Sequence, residues 1–124
     1  MSLRILIVED SHAMRAFVRA TLEEGGAEVT EAASGFEALR IIPRERFDLV
    51  VVDINMPDIN GLELVSFMRK SDVHKDTPLI IISTEASARD RERGLSLGAN
   101  AYLSKPFEPD ELRKLVEKLT GGGR

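Results

Sequence analysis

Five short apolar runs alternate with segments of helical periodicity, and this alternation restricts the possible folds of the chain more than any other feature. Three runs are continuously apolar, at residues 5–8, 49–52 and 79–82, and weaker runs lie at residues 27–32 and 101–103. A strand buried on both faces of a parallel sheet is typically apolar at every position. The runs therefore predict five strands, with at least three in the interior of a parallel sheet.

The segments between the runs carry helix start and stop signals. The predicted helices begin near Ser11, at Ser34, after the turn at residues 58–61, at Ser87 and at Pro109. The first stops before Gly25, and the fourth, over residues 87–97, ends at Gly98, because glycine commonly terminates helices. Proline suits the first helical position, which favours a start of the last helix at Pro109.

Five strand–helix units in succession predict an α/β fold, with right-handed crossovers and helices on both faces of one open parallel sheet. The length of 124 residues lies within the commonest size range of single domains, roughly 100–150 residues. We expect residues 1–120 to form one domain. Residues 121–124, which include three glycines, are expected to form a flexible tail or the start of a linker.

The composition narrows the classes of function. The absence of cysteine excludes disulfides, thiolate metal sites and a cysteine nucleophile. A histidine-rich zinc site is not favoured, because the chain has two histidines, His12 and His74. His12 is near enough to Asp10 in the sequence to contact a site there, but we expect both histidines to be exposed to solvent. The net charge of −4 argues against direct nucleic-acid binding. No apolar run approaches the ~20 residues of a membrane span, so we expect no membrane insertion and a cytoplasmic location.

Chemically active residues follow the predicted strands at the point where each strand ends. The strand ends carry, in chain order, Glu9 and Asp10, Asp53, Ser83 and Lys105. Ligands of open parallel sheets bind beyond these carboxyl ends, so the residues are expected to form one site. Three carboxylates at one place must be spread apart or accompanied by a positive charge. Oxygen ligands without histidine or cysteine favour Mg²⁺, and a lysine with a hydroxyl suits a phosphoryl group.

Each of these residues also has a structural explanation when it is considered alone. Glu9 and Asp10 would cap the following helix, and Asp53 would open a turn. Ser83 would cap a helix, and Lys105 would be a solvated surface lysine. The structural explanations require four coincidences at neighbouring strand ends, so the sequence favours a joint site.

These motifs, taken in order, resemble the receiver domain of two-component response regulators. The resemblance covers residues 3–119 and is carried by Val8-Glu9-Asp10, by Asp53-Ile54-Asn55-Met56-Pro57, by Gly61-Leu62-Glu63-Leu64, by Ser83 and by Lys105-Pro106-Phe107. Residues 10–15 and 53–64 resemble the single-domain, CheY-like chemotaxis type in particular. The resemblance implies a flavodoxin/CheY-like fold, in which the five-stranded sheet has the order 2-1-3-4-5.

The resemblance also implies a phosphorylation site that contains Mg²⁺. Asp53 would be the phosphoacceptor, and Asp10 and Asp53 would bind the metal directly. The backbone carbonyl of Asn55 would be the third protein ligand. Glu9 would act on the metal through a water molecule.

A switch is implied by three further positions. Ser83 matches the switch hydroxyl, Lys105 matches the lysine of the site, and a cis peptide bond is expected before Pro106. Tyr102, the single tyrosine of the chain, matches the aromatic residue that turns inward on activation. The structural alternative is that Tyr102 is a half-buried tyrosine of a strand. This alternative is compatible with the switch, because it describes the same residue in one of its two states.

The function implied by the resemblance is that of a response regulator. It would accept a phosphoryl group from a histidine kinase phosphohistidine and then change its affinity for partners through the face of the fourth helix, fifth strand and fifth helix. The partners would be a sensor histidine kinase or phosphotransfer protein and a downstream protein target. We expect a monomer, with dimerisation on phosphorylation left open, and no enzymatic turnover of an external substrate.

Three departures from the family pattern affect this expectation. Glu9 stands where aspartate is commoner, which is expected to alter the metal geometry slightly. Thr84 stands where the family usually has a small residue, and its larger side chain is expected to restrict access of donor or water to the site. The fourth helix carries a run of charges at residues 89–93, which indicates a solvated face rather than a dedicated site for an acidic partner. This run weakens the case for the flagellar motor as the partner.

Two other functions remain to be weighed. A receiver-like interaction module that is not controlled by phosphorylation is supported by Thr84 alone, since such proteins usually lose the acceptor or the lysine. A phosphatase that uses an aspartyl phosphate would need a second acid two residues after Asp53. That position is Asn55, which argues against a phosphatase.

Overall fold

Five strands and five helices alternate along the chain in the computed structural model, which describes residues 2–84 and 88–121. They are β1 (Arg4–Val8), α1 (His12–Glu24), β2 (Glu28–Ala32), α2 (Gly35–Ile41), β3 (Leu49–Asp53), α3 (Gly61–Arg69), β4 (Leu79–Thr84), α4 (Ala88–Leu97), β5 (Ala101–Lys105) and α5 (Pro109–Thr120). Every predicted strand and helix corresponds to one of these elements. Ser87, the predicted start of the fourth helix, and residues 122–124 of the predicted tail lie outside the described residues.

The strands form one parallel sheet in the order β2-β1-β3-β4-β5. The predicted α/β class and the strand order implied by the resemblance are therefore confirmed. The chain runs outward from β1 to β2 and then returns to the other side of β1 to form β3. This reversal opens a crevice beyond the carboxyl ends of β1 and β3, where ligands of such sheets bind.

Both faces of the sheet are covered by helices, as the continuous apolar runs predicted. Residues 5–8 of β1, 49–52 of β3 and 79–82 of β4 are all 0% exposed. Because successive strand residues point to opposite faces, Ile5 and Ile7 pack in a cluster with residues of α1 and α5. Leu6 and Val8 pack in a second cluster with residues of α2 and α3. Burying an aliphatic side chain stabilises the fold by about 1.5–3 kcal/mol, so these strands form a rigid base for the loops that follow them.

Side chains marked in the sequence fix the beginnings of the first two helices. Ser11 Oγ accepts a hydrogen bond from the Met14 N–H at 3.3 Å, and Ser34 Oγ accepts one from the Glu37 N–H at 3.1 Å. Caps of this kind satisfy backbone donors that have no partner inside the helix. The start of α2 is held additionally by Asp58, as its carboxylate accepts hydrogen bonds from the Gly35 and Phe36 N–H groups at 3.1 and 3.0 Å.

The charged helix α4 packs closely on β4 at Gly94. A Cβ atom at Gly94 would lie 2.2 Å from Ile81 Cδ1, so the helix backbone lies directly on β4. Arg89, Arg91 and Arg93 are exposed, which agrees with the predicted solvated face. Within residues 2–84 and 88–121, no helix combines the length and the apolar character that crossing a membrane requires.

The prediction that His74 is exposed is wrong, whereas His12 is exposed as expected. His74 is 1% exposed, and its two ring nitrogens lie 2.9 Å from Thr77 Oγ1 and 2.8 Å from the carbonyl oxygen of Glu45. Its ring stacks on Phe47, with 5.9 Å between the ring centroids. The polar segment around His74 misled the prediction because these hydrogen bonds, made at both nitrogens, allow a polar ring to be buried.

We predict that His74→Ala lowers the free energy of unfolding by about 2–4 kcal/mol, because it leaves a cavity and removes the hydrogen-bond partner of a buried carbonyl. The matched control is His12→Ala, which removes the exposed histidine and should change the value by less than about 0.5 kcal/mol. Urea unfolding followed by circular dichroism measures both variants. Equal effects of the two substitutions would contradict the role assigned to His74.

Candidate functional site

Three of the predicted carboxylates meet in the crevice at the carboxyl edge of the sheet. Glu9 and Asp10 follow β1, and Asp53 is the last residue of β3. Each offers a carboxylate oxygen that lies within 4.8 Å of the other two. Glu9 is 0% exposed and Asp53 is 1% exposed, while Asp10 is open to solvent. The group therefore has a buried wall and an open side, and its oxygens are close enough to bind one cation.

Lys105, the last residue of β5, provides a positive charge between the buried carboxylates. Its Nζ donates a hydrogen bond to Glu9 Oε1 at 3.0 Å and lies 3.3 Å from Asp53 Oδ2. Of the two arrangements that the sequence allowed, the structure therefore has the one in which a cation accompanies the carboxylates. The peptide bond between Lys105 and Pro106 is cis, as the resemblance implied.

Burial and charge shift the proton affinities of this cluster in a consistent way. Burial raises the pKa of Glu9 to about 7, and the charge of Asp53 contributes in the same direction. Hydrogen bonds from the Ser11 N–H and from Lys105 oppose this rise. Burial alone would lower the pKa of Lys105, but its hydrogen bond to Glu9 and the charge of Asp53 outweigh burial and raise that pKa. A charged lysine is thus held beside a glutamate that titrates near neutral pH.

Ser83 is connected to Asp53 through Asn55. The Ser83 hydroxyl is buried and donates a hydrogen bond to Asn55 Oδ1 at 2.9 Å. The Asn55 N–H in turn donates to Asp53 Oδ1, also at 2.9 Å. The family resemblance implies a role only for the backbone carbonyl of Asn55, and this side-chain contact was not predicted. The sequence did contain a signal for this contact, namely the spacing of two residues between Asp53 and Asn55. A side chain so close to the end of β3 lies at the same edge of the sheet as Asp53.

Tyr102 lies on β5, on the side of the site next to α4, and it is half-buried as expected for a strand tyrosine. Its hydroxyl donates a 3.4 Å hydrogen bond to the carbonyl oxygen of Thr84. The Arg91 guanidinium carbon lies 5.6 Å from the centre of the tyrosine ring, which is within cation–π distance. Tyr102 thus contacts both the residue after Ser83 and the exposed face of α4.

Gly61 allows α3 to begin directly against the end of β3. A Cβ atom at this position would lie 2.6 Å from Ile54 Cα and 2.7 Å from the carbonyl oxygen of Asp53. Both neighbours are backbone atoms that cannot move aside without displacing Asp53. The sequence pattern places Gly61 in a turn, and in the structure its lack of a side chain also allows the close backbone contact at the site.

A comparison with protein families matches residues 5–117 to the response regulator receiver domain. The chain belongs to this family. It is 36% identical to a chemotaxis protein CheY homolog of Campylobacter jejuni, over 98% of this chain and 95% of that protein. It is 35% identical to the probable transcriptional regulator ycf29 of Porphyra purpurea over 96% of its own length, but it spans only 57% of that longer relative.

The architecture is shared with solved receiver structures. The receiver domain of a sensor histidine kinase from Pseudomonas aeruginosa superimposes with a TM-score of 0.89 and 31% identity, over 98% of this chain and 99% of that domain. That structure holds a magnesium ion coordinated in its active-site cleft. The family and fold that the motifs implied are therefore confirmed.

In the absence of a metal, the buried Glu9 should make stability depend on pH. Its pKa in the folded protein is raised to about 7 from an ordinary value of 4.5, so the folded state binds the proton more tightly. The stability contributed by this proton is fully present below pH 4.5 and is lost as the pH rises through 7. Glu9→Gln cannot lose this proton, so the variant should become progressively more stable than the original chain between pH 4.5 and 7.

Urea unfolding in EDTA at pH 5, 6, 7 and 8 measures this difference. Glu63→Gln, at an exposed glutamate of α3, serves as the control and should show a constant difference across the series. A Glu9→Gln difference that stays constant from pH 5 to pH 8 would contradict the raised pKa.

Proposed function

We propose that this receiver domain is a phosphorylation-controlled signalling switch. In this proposal Asp53 accepts a phosphoryl group from the phosphohistidine of a sensor histidine kinase or phosphotransfer protein. The observation that carries the proposal is the placement of Asp53, which is buried in the crevice, with one oxygen near Lys105 and its carboxylate beside those of Glu9 and Asp10. Such an arrangement combines a nucleophile, a cation and metal ligands at the switch point of the sheet.

The donor set fits Mg²⁺. Three carboxylates within 4.8 Å of one another, without histidine or cysteine, match the preference of Mg²⁺ for oxygen ligands. We assign Asp10, Asp53 and the backbone carbonyl of Asn55 as direct ligands, with Glu9 acting through water. Mg²⁺ bound there supplies positive charge that neutralises phosphoryl oxygens during transfer.

The residues of the chain supply the remaining chemistry. An Asp53 oxygen attacks phosphorus, the bond between phosphorus and the donor histidine nitrogen breaks, and that nitrogen keeps the electron pair. A carboxylate nucleophile attacks as the anion and needs no general base. Lys105 Nζ, 3.3 Å from Asp53 in this state, is within reach to donate to a phosphoryl oxygen. In this step the chain takes part in its own modification.

Phosphorylation would act as a switch through Ser83 and Tyr102. A phosphoryl group adds about −1.5 to −2 charges and strong acceptor oxygens at Asp53. The Ser83 hydroxyl, now bonded to Asn55, would turn to the phosphoryl group, and Tyr102 would move into the space that it leaves. The face formed by α4, β5 and α5 would change, and with it the affinity for a downstream protein target. A local change of charge thereby biases an element with two arrangements.

The second candidate is a receiver-like interaction module without phosphorylation control. Thr84 favours it, because its exposed side chain follows Ser83 at the mouth of the site. The retained Asp53, its contact with Lys105 and the adjacent Asp10 favour the phosphorylated switch. We therefore rank the module second.

Asp53→Asn should abolish labelling by acetyl phosphate in the presence of Mg²⁺, because the amide cannot act as the nucleophile. Labelling is measured by intact-mass spectrometry or by a phosphate-binding gel. Asp72→Asn, at an exposed aspartate in the segment after α3, should be labelled normally. Labelling of Asp53→Asn at the original rate would defeat the assignment, and an unlabelled original chain would favour the interaction module.

Thr84→Ala should speed both labelling and hydrolysis of the phosphorylated chain severalfold, because the smaller side chain opens the mouth of the site to donor and water. Thr84→Val is the matched control, since it keeps the bulk and removes the hydroxyl, and its rates should stay close to the original. Time courses of intact mass measure both rates. Rates of Thr84→Ala equal to those of the original chain would show that this side chain does not restrict access.

A further inference from the structure

Arg15 of α1 lies directly behind Glu9 and Asp10, the two residues that form the acidic turn after β1. Its Nη1 donates a hydrogen bond to the carbonyl oxygen of Glu9 at 2.9 Å and approaches that of Asp10 at 3.4 Å. Its Nε donates to Glu31 Oε1 on β2 at 2.8 Å. Only 14% of the arginine side chain is exposed. The guanidinium group therefore bridges β2 and the backbone that carries two of the three carboxylates.

The backbone of this turn decides where the carboxylates point. The Glu9 N–H donates a hydrogen bond to the carbonyl of Ala32 at 3.1 Å, so β2 holds the peptide group before Glu9 and Arg15 holds the one after it. Asp10 is exposed and is not fixed by packing in the core. Its direction therefore depends on the orientation of the two peptide groups whose carbonyls Arg15 binds. The planar guanidinium group of arginine holds its N–H donors in a fixed fork. It can therefore orient two carbonyl groups better than the flexible ammonium group of lysine can.

We propose that Arg15 is a positioning residue for the metal site. Anchored on Glu31, it fixes the Glu9 and Asp10 peptides and so directs both carboxylates toward the cation. This inference rests on the proposed function, because it assumes that Mg²⁺ occupies the crevice. The negative charge of Glu31 offsets the positive charge of the Arg15 guanidinium. Arg15 therefore acts through the backbone, with little direct repulsion of the cation.

Arg19 provides a natural comparison within the same helix. It lies one turn further along α1, and it also pairs with Glu31. Its other partner is Glu23, at 3.0 Å on the exposed side of the helix. Arg15 and Arg19 thus share an anchor and a charge, and they differ in the contact with the acidic turn. A comparison of the two separates backbone positioning from a general loss of charge.

The test measures Mg²⁺ binding to the intact chain by isothermal titration calorimetry. Arg15→Lys keeps the charge but loses the fork, and we expect it to weaken Mg²⁺ binding roughly tenfold, as substitutions behind metal ligands commonly do. Arg19→Lys should stay within about twofold, because it leaves the acidic turn untouched. Equal dissociation constants for Arg15→Lys and the original chain would overturn the inference.

Two further measurements separate positioning from a loss of folding. Glu31→Gln keeps the shape of the side chain that anchors Arg15 and removes its charge, so it should also weaken Mg²⁺ binding. This variant decides the question if Arg15→Lys fails to fold. Unchanged Mg²⁺ binding by Glu31→Gln would then overturn the inference. Labelling of Arg15→Lys by acetyl phosphate should need more Mg²⁺ for half-maximal rate while the maximal rate stays near the original. A maximal rate that falls while the Mg²⁺ requirement stays unchanged would contradict positioning.

The result for the original chain distinguishes the two proposals. If it binds Mg²⁺ and is labelled, the proposed function stands, and the variants alone decide the role of Arg15. If it binds no Mg²⁺, both the proposed metal site and the role of Arg15 are overturned.

Discussion

The contact of Lys105 with Glu9 and Asp53 is the interaction on which the site depends. It joins the end of β5 to a residue 96 positions earlier in the chain, and it places one ammonium group between two carboxylates that are almost wholly buried. Removing the lysine would leave its buried carboxylate partners without a compensating charge, which is strongly destabilising. The two carboxylates are not equivalent, because Glu9, whose pKa is raised to about 7, can take up a proton near neutral pH.

The apolar strands of the sheet stabilise the fold, and the charged residues of the site lie only at or beyond the ends of those strands. The inner strands are fully buried along their apolar lengths, and the polar residues of the site follow at their carboxyl ends. The packing that holds the site in place is thus supplied by residues that take no part in its chemistry. At the opposite edge of the sheet the buried His74 pins its own loop to the carbonyl of Glu45, a polar contact with a structural role.

The sequence was sufficient for those parts of the molecule that follow from position along a strand. Glu9, Asp53 and Lys105 were expected together because parallel strands end at one edge, and the strand order followed from the family resemblance. Several side-chain hydrogen bonds between different elements were not predicted. The bonds from Arg15 to the acidic turn and from Ser83 to Asn55 require the packing of neighbouring elements, and His74 found partners that a polar loop does not reveal.

The position of Tyr102 has a practical consequence. The chain contains one tyrosine and no tryptophan, so its intrinsic ultraviolet fluorescence is dominated by this single ring. That ring lies against the Arg91 guanidinium, and its hydroxyl is bonded to the Thr84 carbonyl. Tyrosine emission from the unlabelled protein is therefore a local spectroscopic signal from the junction of β4, β5 and α4.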